Sequence, residues 1–298
     1  MIAVPQYEES SVAVPGGELA VLRWPAADPA APTVLALHGV TGNAAAWSGV
    51  AGHLEGRVTL VAPDLRGRGA SREVGGPFGL ARHADDAAAL IESLGIGPVL
   101  LAGHSMGAWV AALTAVRHPE LVARVLLVDG AVTLPLPAAA VMEEALVEIL
   151  GPALARLSMT FANRAAYHAF WREHPAVGPL WSPLVEEFVD RDLTGTEPEL
   201  RSSCLLEAVR ADTRQVRLDP TAAAAIRQLP CPGELLWAER GLLDQPQGLY
   251  DARRLAAAGL DAERLTVRQI PDTNHYSILL GPVGATVVAE RLLATAGR

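Results

Sequence analysis

The segment Gly103-His104-Ser105-Met106-Gly107 is the strongest chemical signal in the chain. It follows an apolar, strand-like run over residues 99–102 and precedes an alanine-rich helical pattern over residues 108–117. Glycines two residues to either side of Ser105 allow a tight strand-to-helix turn, because bulkier neighbours would clash there. Such a turn lifts the hydroxyl above the sheet and places a helix N-terminus behind it. The pattern therefore predicts that Ser105 is a nucleophile.

A serine hydroxyl is a weak nucleophile at neutral pH, so Ser105 needs a general base. Of the eight histidines, His275 fits best, because it lies in a turn-rich stretch after the last predicted strand and before the C-terminal helix. We expect the side chain of His104 to point away from that of Ser105, and we expect His38 to be a structural hydrogen-bonding group. The sequence thus predicts His275 as the base.

Two carboxylates are candidates for the acid that orients His275. Asp129 ends the strand-like run over residues 125–128, and Asp244 follows the strand-like run that ends at residue 238. Either loop could present a carboxylate to the second ring nitrogen of the histidine. We favour Asp129 and keep Asp244 as the alternative.

Attack on a carbonyl also requires hydrogen-bond donors aimed at the developing oxyanion. The backbone N–H of Met106, directly after the nucleophile, is one expected donor. The other should come from the loop His38-Gly39-Val40-Thr41-Gly42. We choose Val40, because Gly39 lets the chain turn that amide inward. The predicted oxyanion hole therefore consists of Val40 and Met106.

Short apolar strands that alternate with helices must position these groups. Strand patterns cover residues 17–24, 33–38, 58–63, 99–102, 125–128, 233–238 and 265–270, and helical patterns cover residues 81–94, 108–117 and 283–296. This alternation is typical of the α/β class, in which helices cover both faces of a mostly parallel sheet.

A helical region interrupts this alternation. Residues 141–157 and 164–172 have helical spacing, and no clear strand pattern occurs between residues 134 and 227. We interpret 134–227 as a cap inserted into a core made of 1–133 and 228–298. Binding pockets are mostly lined by apolar and aromatic side chains. We therefore predict that Phe161 and Trp171 of the cap, together with Trp109, bind substrate.

Composition excludes several classes of partner. The chain has 298 residues and a formal net charge of −9, which argues against binding to nucleic acid or to anionic lipid. Its apolar runs are far shorter than the ~20 residues of a membrane helix, and residues 1–10 lack a signal-peptide pattern. Cys204 and Cys231 show no metal-ligand or redox spacing and are predicted to be buried thiols. We expect a cytoplasmic protein that acts on a small apolar or mixed substrate.

The chain resembles the α/β-hydrolase family over essentially its full length. The resemblance rests on His38-Gly39, on Asp64-Leu-Arg-Gly-Arg-Gly69, which is similar to a D-x-R-G-x-G loop, on residues 103–107 and on Asn274-His275. It implies an α/β-hydrolase sheet with a nucleophile, an acid and a histidine in that chain order. It also implies that the Asp64 loop is structural and packs near the loop of residues 38–42 (the oxyanion loop). No metal or organic cofactor is implied.

The resemblance bears on the choice of acid. Most members place it after the strand that here ends near Trp237, in a turn similar to W-G-x-x-D. When the chain is aligned on Trp237, Gly241 falls where this turn has its Asp. When the chain is aligned on Gly241 instead, Asp244 matches the Asp of a shifted G-x-x-D. Zearalenone-lactonase-like enzymes and some haloalkane dehalogenases place the acid after the strand before the cap, which matches Asp129. Ser105 stands where the dehalogenases and epoxide hydrolases of the fold have Asp, which disfavours those chemistries.

The expected reaction is hydrolysis of a carboxylic ester or lactone through an acyl-enzyme. The same groups could cleave a thioester, an amide or a carbon–carbon bond, because the fold alone does not decide this. A ligand receptor that keeps the three residues but turns over very slowly is the alternative from another class.

Overall fold

The computed structural model describes residues 4–133 and 151–296. An eight-stranded sheet forms the centre of the fold. The strands are β1 Glu8–Val14, β2 Gly17–Trp24, β3 Thr33–Leu37, β4 Thr59–Pro63, β5 Val99–His104, β6 Val122–Val128, β9 Gly233–Ala238 and β10 Leu265–Ile270. Their order in the sheet is β1-β2-β4-β3-β5-β6-β9-β10. β1 pairs antiparallel with β2, and β2 pairs antiparallel with β4, whereas every other neighbouring pair is parallel. The predicted α/β class with a mostly parallel sheet is confirmed.

Helices cover both faces of this sheet. Side chains alternate between the faces along a strand, so Leu35 and Leu37 of β3 join one buried cluster while Val34 and Ala36 join the other. The first cluster includes residues of the helices Leu80–Leu94, Met106–Arg117 and Pro220–Ala225, and the second includes residues of Ser48–Leu54 and Pro282–Ala296. The near-continuous apolar runs of the central strands reflect burial on both faces.

Residues 151–227, the described part of the predicted cap, are mainly helical. Their helices are Pro152–Ala155, Arg164–Arg172, Pro183–Asp190, Leu206–Leu218 and Pro220–Ala225. The predicted helix over 164–172 is confirmed, whereas residues 134–150, and with them most of the predicted helix over 141–157, lie outside the described residues. The expectation that this region has no strand was wrong. β7 Leu193–Thr194 pairs antiparallel with β8 Arg201–Ser202, and two residues are too few to show an alternating pattern.

The cap boundaries at residues 134 and 227 stay a prediction. Within the described residues, the helices Leu206–Leu218 and Pro220–Ala225 pack against the core helix Met106–Arg117. Cys204 and Cys231 are both free and buried, as predicted. None of the helices in the described residues is long and apolar enough to cross a membrane.

Candidate active site

The parallel strands bring the predicted catalytic residues to one edge of the sheet. Ser105 directly follows β5 and Asp129 directly follows β6, whereas His275 lies in the loop after β10. The carboxyl ends of parallel strands meet at the same edge, where ligands bind in open α/β sheets. Residues far apart in the chain therefore become neighbours there.

Ser105 occupies a strained turn between β5 and the helix Met106–Arg117, with φ 53° and ψ −125°. The turn is so tight that a Cβ on Gly107 would lie 2.3 Å from the carbonyl oxygen of Leu37. A Cβ on Gly103 would lie 2.1 Å from the carbonyl oxygen of Gly107. Both glycines are thus required by close backbone approach, as the sequence pattern indicated.

Ser105, His275 and Asp129 form a continuous chain of hydrogen bonds. Ser105 Oγ lies 3.0 Å from His275 Nε2, and His275 Nδ1 lies 2.6 Å from Asp129 Oδ2. Asp129 is fully buried, and its Oδ1 accepts a hydrogen bond from the backbone N–H of Ala238 at 3.0 Å. In the arrangement that satisfies all three groups, Nδ1–H donates to Asp129 and Nε2 accepts from Ser105. The structure thus brings Asp129, and not Asp244, to His275 Nδ1.

Asp244 instead holds the residue that precedes His275. Its Oδ1 accepts hydrogen bonds from Asn274 Nδ2 at 2.9 Å and from Arg240 Nε at 2.7 Å. Partial burial by itself would raise the pKa of Asp244, but the hydrogen bonds from Asn274 and Arg240 hold that pKa below its ordinary value. Asp244 therefore stays ionised and, through Asn274, stabilises the loop of residues 271–276 that carries His275 (the histidine loop).

His104 has a contact that the sequence did not indicate. Its ring lies against that of His275, with centroids 4.7 Å apart, and its Nε2 is 2.9 Å from the backbone oxygen of His275. Burial, together with the nearby His275, lowers the pKa of His104 well below its ordinary value. A neutral His104 with its proton on Nε2 therefore donates to the histidine loop.

The loop over residues 38–42 lies beside the nucleophile and is held by hydrogen bonds of His38. His38 Nδ1–H donates to Gly39 O at 2.7 Å, and His38 Nε2 accepts from the N–H of Leu65 at 2.9 Å. Burial lowers the pKa of His38 to about 3, which keeps the ring neutral. Because the C=O and N–H of a trans peptide point in opposite directions, the Val40 N–H points away from the His38 ring. His38 thus has the structural role expected from the sequence.

Val40 and Met106 flank Ser105. Val40 lines the cleft in front of the serine. Met106 begins the helix Met106–Arg117, so its N–H is free of the helical hydrogen-bond ladder. The positive end of the helix dipole at this point favours negative charge. Val40 and Met106 thus both lie near Ser105, and their role as oxyanion donors stays a prediction.

The loop over residues 64–69 braces the oxyanion loop, as the family resemblance implied. Asp64 accepts hydrogen bonds from the backbone N–H groups of Ala44 and Ala70, each at 2.8 Å. Arg68 Nε donates to Val40 O at 3.0 Å. These bonds hold residues 38–44 against the core.

A mostly apolar cleft of about 490 Å³, measured out to open solvent, lies in front of Ser105. Besides Ser105, His104 and His275, its lining residues are Gly39, Val40, Thr41, Gly42, Ala46, Phe188, Leu242, Tyr276, Leu279 and Leu280. No Lys or Arg side chain is among these lining residues. Within residues 4–133 and 151–296, no group of three or more His, Cys, Asp and Glu is placed to hold a metal ion.

The three predicted substrate-binding aromatics are not in the lining of this cleft, and their role in binding stays a prediction. Trp109 is buried and donates from Nε1 to Thr133 Oγ1 at 2.9 Å. Phe161 and Trp171 pack with other aromatic residues inside the cap. None of the three is among the described residues that line the cleft. The helical pattern identified apolar side chains correctly but could not tell which of them face the cleft.

The sequence reasoning missed the side chains that do form the wall. Leu279 and Leu280 belong to the short helix Ser277–Leu280, directly after the histidine loop, and Tyr276 adjoins His275. Their proximity to His275 in the chain was the available signal. Phe188 and Leu242 are far from Ser105 and His275 in sequence, and only tertiary packing brings them to the cleft.

Comparison with known proteins gives matches over most of the chain. A model of the alpha/beta hydrolase family matches residues 34–289. Lipase LipV of Mycobacterium tuberculosis is 38% identical over 117 residues, which are 39% of this chain and 43% of that protein. The 2-(acetamidomethylene)succinate hydrolase of Mesorhizobium japonicum is 37% identical over 98 residues, which are 33% of this chain and 35% of that protein. Matches to curated relatives thus span well under two thirds of their length.

A solved structure extends the likeness to the whole fold. The crystal structure of an E-2-(acetamidomethylene)succinate hydrolase superposes with a TM-score of 0.80 and 23% identity, and the superposition covers 98% of this chain and 100% of the other. This likeness concerns the fold alone. The family match, which includes both the Ser105 turn and the His275 loop, decides the assignment. The chain belongs to the alpha/beta hydrolase family.

Proposed function

We propose that this protein is a serine hydrolase that cleaves a carboxylic ester or lactone through an acyl-enzyme on Ser105. The observation that carries the proposal is the hydrogen-bonded chain from Ser105 Oγ through His275 to Asp129, with distances of 3.0 and 2.6 Å. Ser105 and His275 line an apolar cleft, through which a carbonyl carbon can approach the hydroxyl. Family membership supports a hydrolytic reaction.

In the proposed mechanism, His275 Nε2 takes the proton of Ser105 as Oγ attacks the carbonyl carbon. The carbonyl oxygen becomes an oxyanion and accepts hydrogen bonds from the N–H groups of Val40 and Met106. His275 then gives its proton to the leaving alcohol, and the acyl group stays on Ser105. Water repeats the sequence with His275 as base. Asp129 holds the ring in the useful tautomer and stabilises its charged form.

We further propose that the acyl group is uncharged. The cleft wall is formed largely by Val40, Ala46, Phe188, Leu242 and Leu279. Binding of a substrate carboxylate normally uses Arg or another cationic group. No such residue lines the cleft among the described residues, and the sequence of residues 134–150 contains no Lys, Arg or His. A small neutral ester or lactone therefore fits this site better than a dicarboxylate does.

The test is labelling and turnover by wild type and Ser105→Ala. We expect a fluorophosphonate to label the wild type at Ser105, and we expect the variant to lose several orders of magnitude in hydrolysis of p-nitrophenyl butyrate while keeping its melting temperature. Near-normal turnover by folded Ser105→Ala contradicts the serine mechanism. A burst of product without steady turnover by the wild type would favour the receptor alternative.

A paired substrate tests the charge of the acyl group. p-Nitrophenyl butyrate and the p-nitrophenyl monoester of succinic acid have acyl chains of similar length but differ by one carboxylate. We expect the wild type to prefer the butyrate by at least roughly 100-fold in kcat/KM, because an unpaired carboxylate in an apolar cleft is costly. Equal rates would contradict the assignment of an uncharged substrate.

A further inference from the structure

A buried arginine links the predicted cap to the oxyanion loop. Arg156 is fully buried and follows the short helix Pro152–Ala155. Its Nη2 donates to the backbone oxygen of Thr41 at 2.7 Å, and its Nη1 donates to the backbone oxygen of Ala153. Its Nε lies 3.0 Å from Asp192 Oδ2. One guanidinium group thus joins the cap to the residue that follows Val40.

The partner carboxylate is itself held by a hydrogen-bonded cluster. Asp192 accepts hydrogen bonds from the hydroxyl groups of Tyr167, Ser202 and Ser203 as well as from Arg156. A buried ion pair with satisfied oxygens and a planar guanidinium has a defined geometry, because any displacement leaves a charge or a polar atom unpaired. Asp192 therefore fixes the orientation of the guanidinium that binds Thr41.

Three successive carbonyl groups of the oxyanion loop are fixed by separate partners. Gly39 O accepts from His38 and from the N–H of Gly42, Val40 O accepts from Arg68, and Thr41 O accepts from Arg156. Each carbonyl sets the plane of its peptide and hence the direction of the opposed N–H. The Thr41 anchor therefore fixes the peptide that carries the N–H of Gly42. That N–H donates to Gly39 O at 3.1 Å, and Gly39 O in turn sets the direction of the Val40 N–H.

We propose that Arg156 is a positioning residue for the oxyanion hole, acting through the backbone of Thr41 rather than by touching the substrate. The proposal rests on the serine mechanism proposed above. It assigns the cap a role in stabilising the transition state, in addition to any role as a wall of the cleft. Loss of the Thr41 anchor leaves Ser105, His275 and Asp129 in place but lets the Val40 amide move.

Arg156→Lys is the primary test. A lysine ammonium keeps the positive charge beside Asp192, so no buried carboxylate is left uncompensated, but one ammonium cannot reproduce the divergent donors of the guanidinium. The control is Arg291→Lys. Arg291 Nε pairs with Oε2 of the buried Glu234 at 2.7 Å, and Glu234 lies near the start of β9, at the edge of the sheet opposite Ser105.

The readouts are kcat and KM for p-nitrophenyl butyrate and the affinity of two inhibitors of matched length. One is a trifluoromethyl ketone, which forms a bond to Ser105 Oγ and carries an oxyanion while the serine proton moves to His275. The other is the corresponding secondary alcohol, which binds without an oxyanion. Arg156→Lys should lower kcat and ketone affinity by roughly tenfold to 100-fold, with KM and alcohol affinity unchanged. Arg291→Lys should change only the melting temperature.

Two results would overturn the proposal. In one, Arg156→Lys behaves like Arg291→Lys, with at most a lower melting temperature but unchanged kcat and ketone affinity well below that temperature. In the other, KM and alcohol affinity change while kcat does not, which would make Arg156 a support of the substrate wall.

A second variant covers the case in which Arg156→Lys does not fold. Arg156→Met combined with Asp192→Asn removes both charges, leaves no buried ion unpaired, and removes the guanidinium donor to Thr41 O. The same selective loss of kcat and ketone affinity is expected, and unchanged values would overturn the proposal. Failure of the serine mechanism is recognised separately, because Ser105→Ala would then keep its activity whatever the Arg156 variants do.

Discussion

The backbone N–H of Ala238 donates to Oδ1 of Asp129 at 3.0 Å. Ala238 ends β9 and Asp129 directly follows the neighbouring β6, so the bond clamps the carboxylate between two adjacent strands. The other oxygen, Oδ2, is left directed at His275. A carboxylate held in this way needs no rearrangement to orient the histidine.

Asp129→Asn should therefore lower turnover by roughly four orders of magnitude, because the amide favours the wrong histidine tautomer and removes support for its charged form. Asp244→Asn should lower turnover by less than about tenfold, or ~1.4 kcal/mol of barrier, because an amide oxygen can still accept from Asn274. Steady-state kinetics on p-nitrophenyl butyrate, with melting curves for both variants, provide the measurement. An inactive Asp244→Asn beside an active Asp129→Asn would assign the acid to the later strand.

The approach of Gly39 to the nucleophile gives a second prediction. A Cβ on Gly39 would lie 3.1 Å from the Cβ of Ser105, so Gly39→Ala must displace either the loop that carries the Val40 N–H or Ser105 itself by a few tenths of an ångström. We expect a loss of at least roughly tenfold in kcat, since small displacements of positioned groups are costly. Gly75→Ala is the control, because a Cβ there meets no atom within 4 Å. Equal kcat values for the two variants would contradict a role of this loop in catalysis.

Substitutions of Phe161 and Phe188 can distinguish packing within the cap from contact with the substrate. Each is 5% exposed, but only Phe188 is among the residues that line the cleft. Phe161→Leu and Phe188→Leu should both lower the free energy of unfolding by about 1–2 kcal/mol, as repacking of a buried aromatic does. Only Phe188→Leu should alter the relative kcat/KM across p-nitrophenyl esters of increasing acyl length. A changed chain-length profile in Phe161→Leu would restore Phe161 as a substrate-binding residue.

Two buried neutral histidines should make the free energy of unfolding depend on pH. Burial lowers the pKa of His38 to about 3 and that of His174 to about 4, from an ordinary value of 6.5. As the pH falls below 6.5, the unfolded chain binds protons at these residues that the folded chain does not bind. The free energy of unfolding should therefore decrease toward about pH 4, by about 1.4 kcal/mol per pH unit for each such residue.

Urea unfolding of the wild type and of His38→Gln measures this slope. Gln keeps a donor for Gly39 O and an acceptor for the N–H of Leu65 but does not titrate. The slope between about pH 6.5 and pH 4 should fall by one residue's share in the variant. An identical slope in both proteins would show that His38 takes up its proton without unfolding.

Local patterns were sufficient to predict the positions of Ser105 and His275. The tight turn around Ser105 requires glycines at fixed offsets, and the histidine follows a recognisable last strand. β1 was missed, because only Val12 and Val14 of its seven residues are buried and the alternation is too short to recognise. The sheet could therefore be predicted for its buried strands but not for its exposed edge.

The acid and the cleft wall depend on contacts between distant segments. Whether Asp129 or Asp244 faces His275 follows from how the loops after β6 and β9 are arranged, and the sequence offered a carboxylate in both. Trp171 and Phe188 both belong to apolar helix faces, but one packs inside the cap and the other reaches the cleft. Periodicity identifies a buried face and does not say whether that face meets protein or substrate.

The backbone angle of Ser105 also limits which amino acids evolution can place at this position. With φ at 53°, a β-branched side chain is strongly disfavoured, so threonine is a poor replacement although it offers the same hydroxyl. Cysteine and aspartate carry a single substituent chain on Cβ and fit the same backbone. A single substitution of Ser105 by cysteine or aspartate could therefore exchange one nucleophilic atom for another. Substitution by threonine, which is chemically closest to serine, is disfavoured by the backbone.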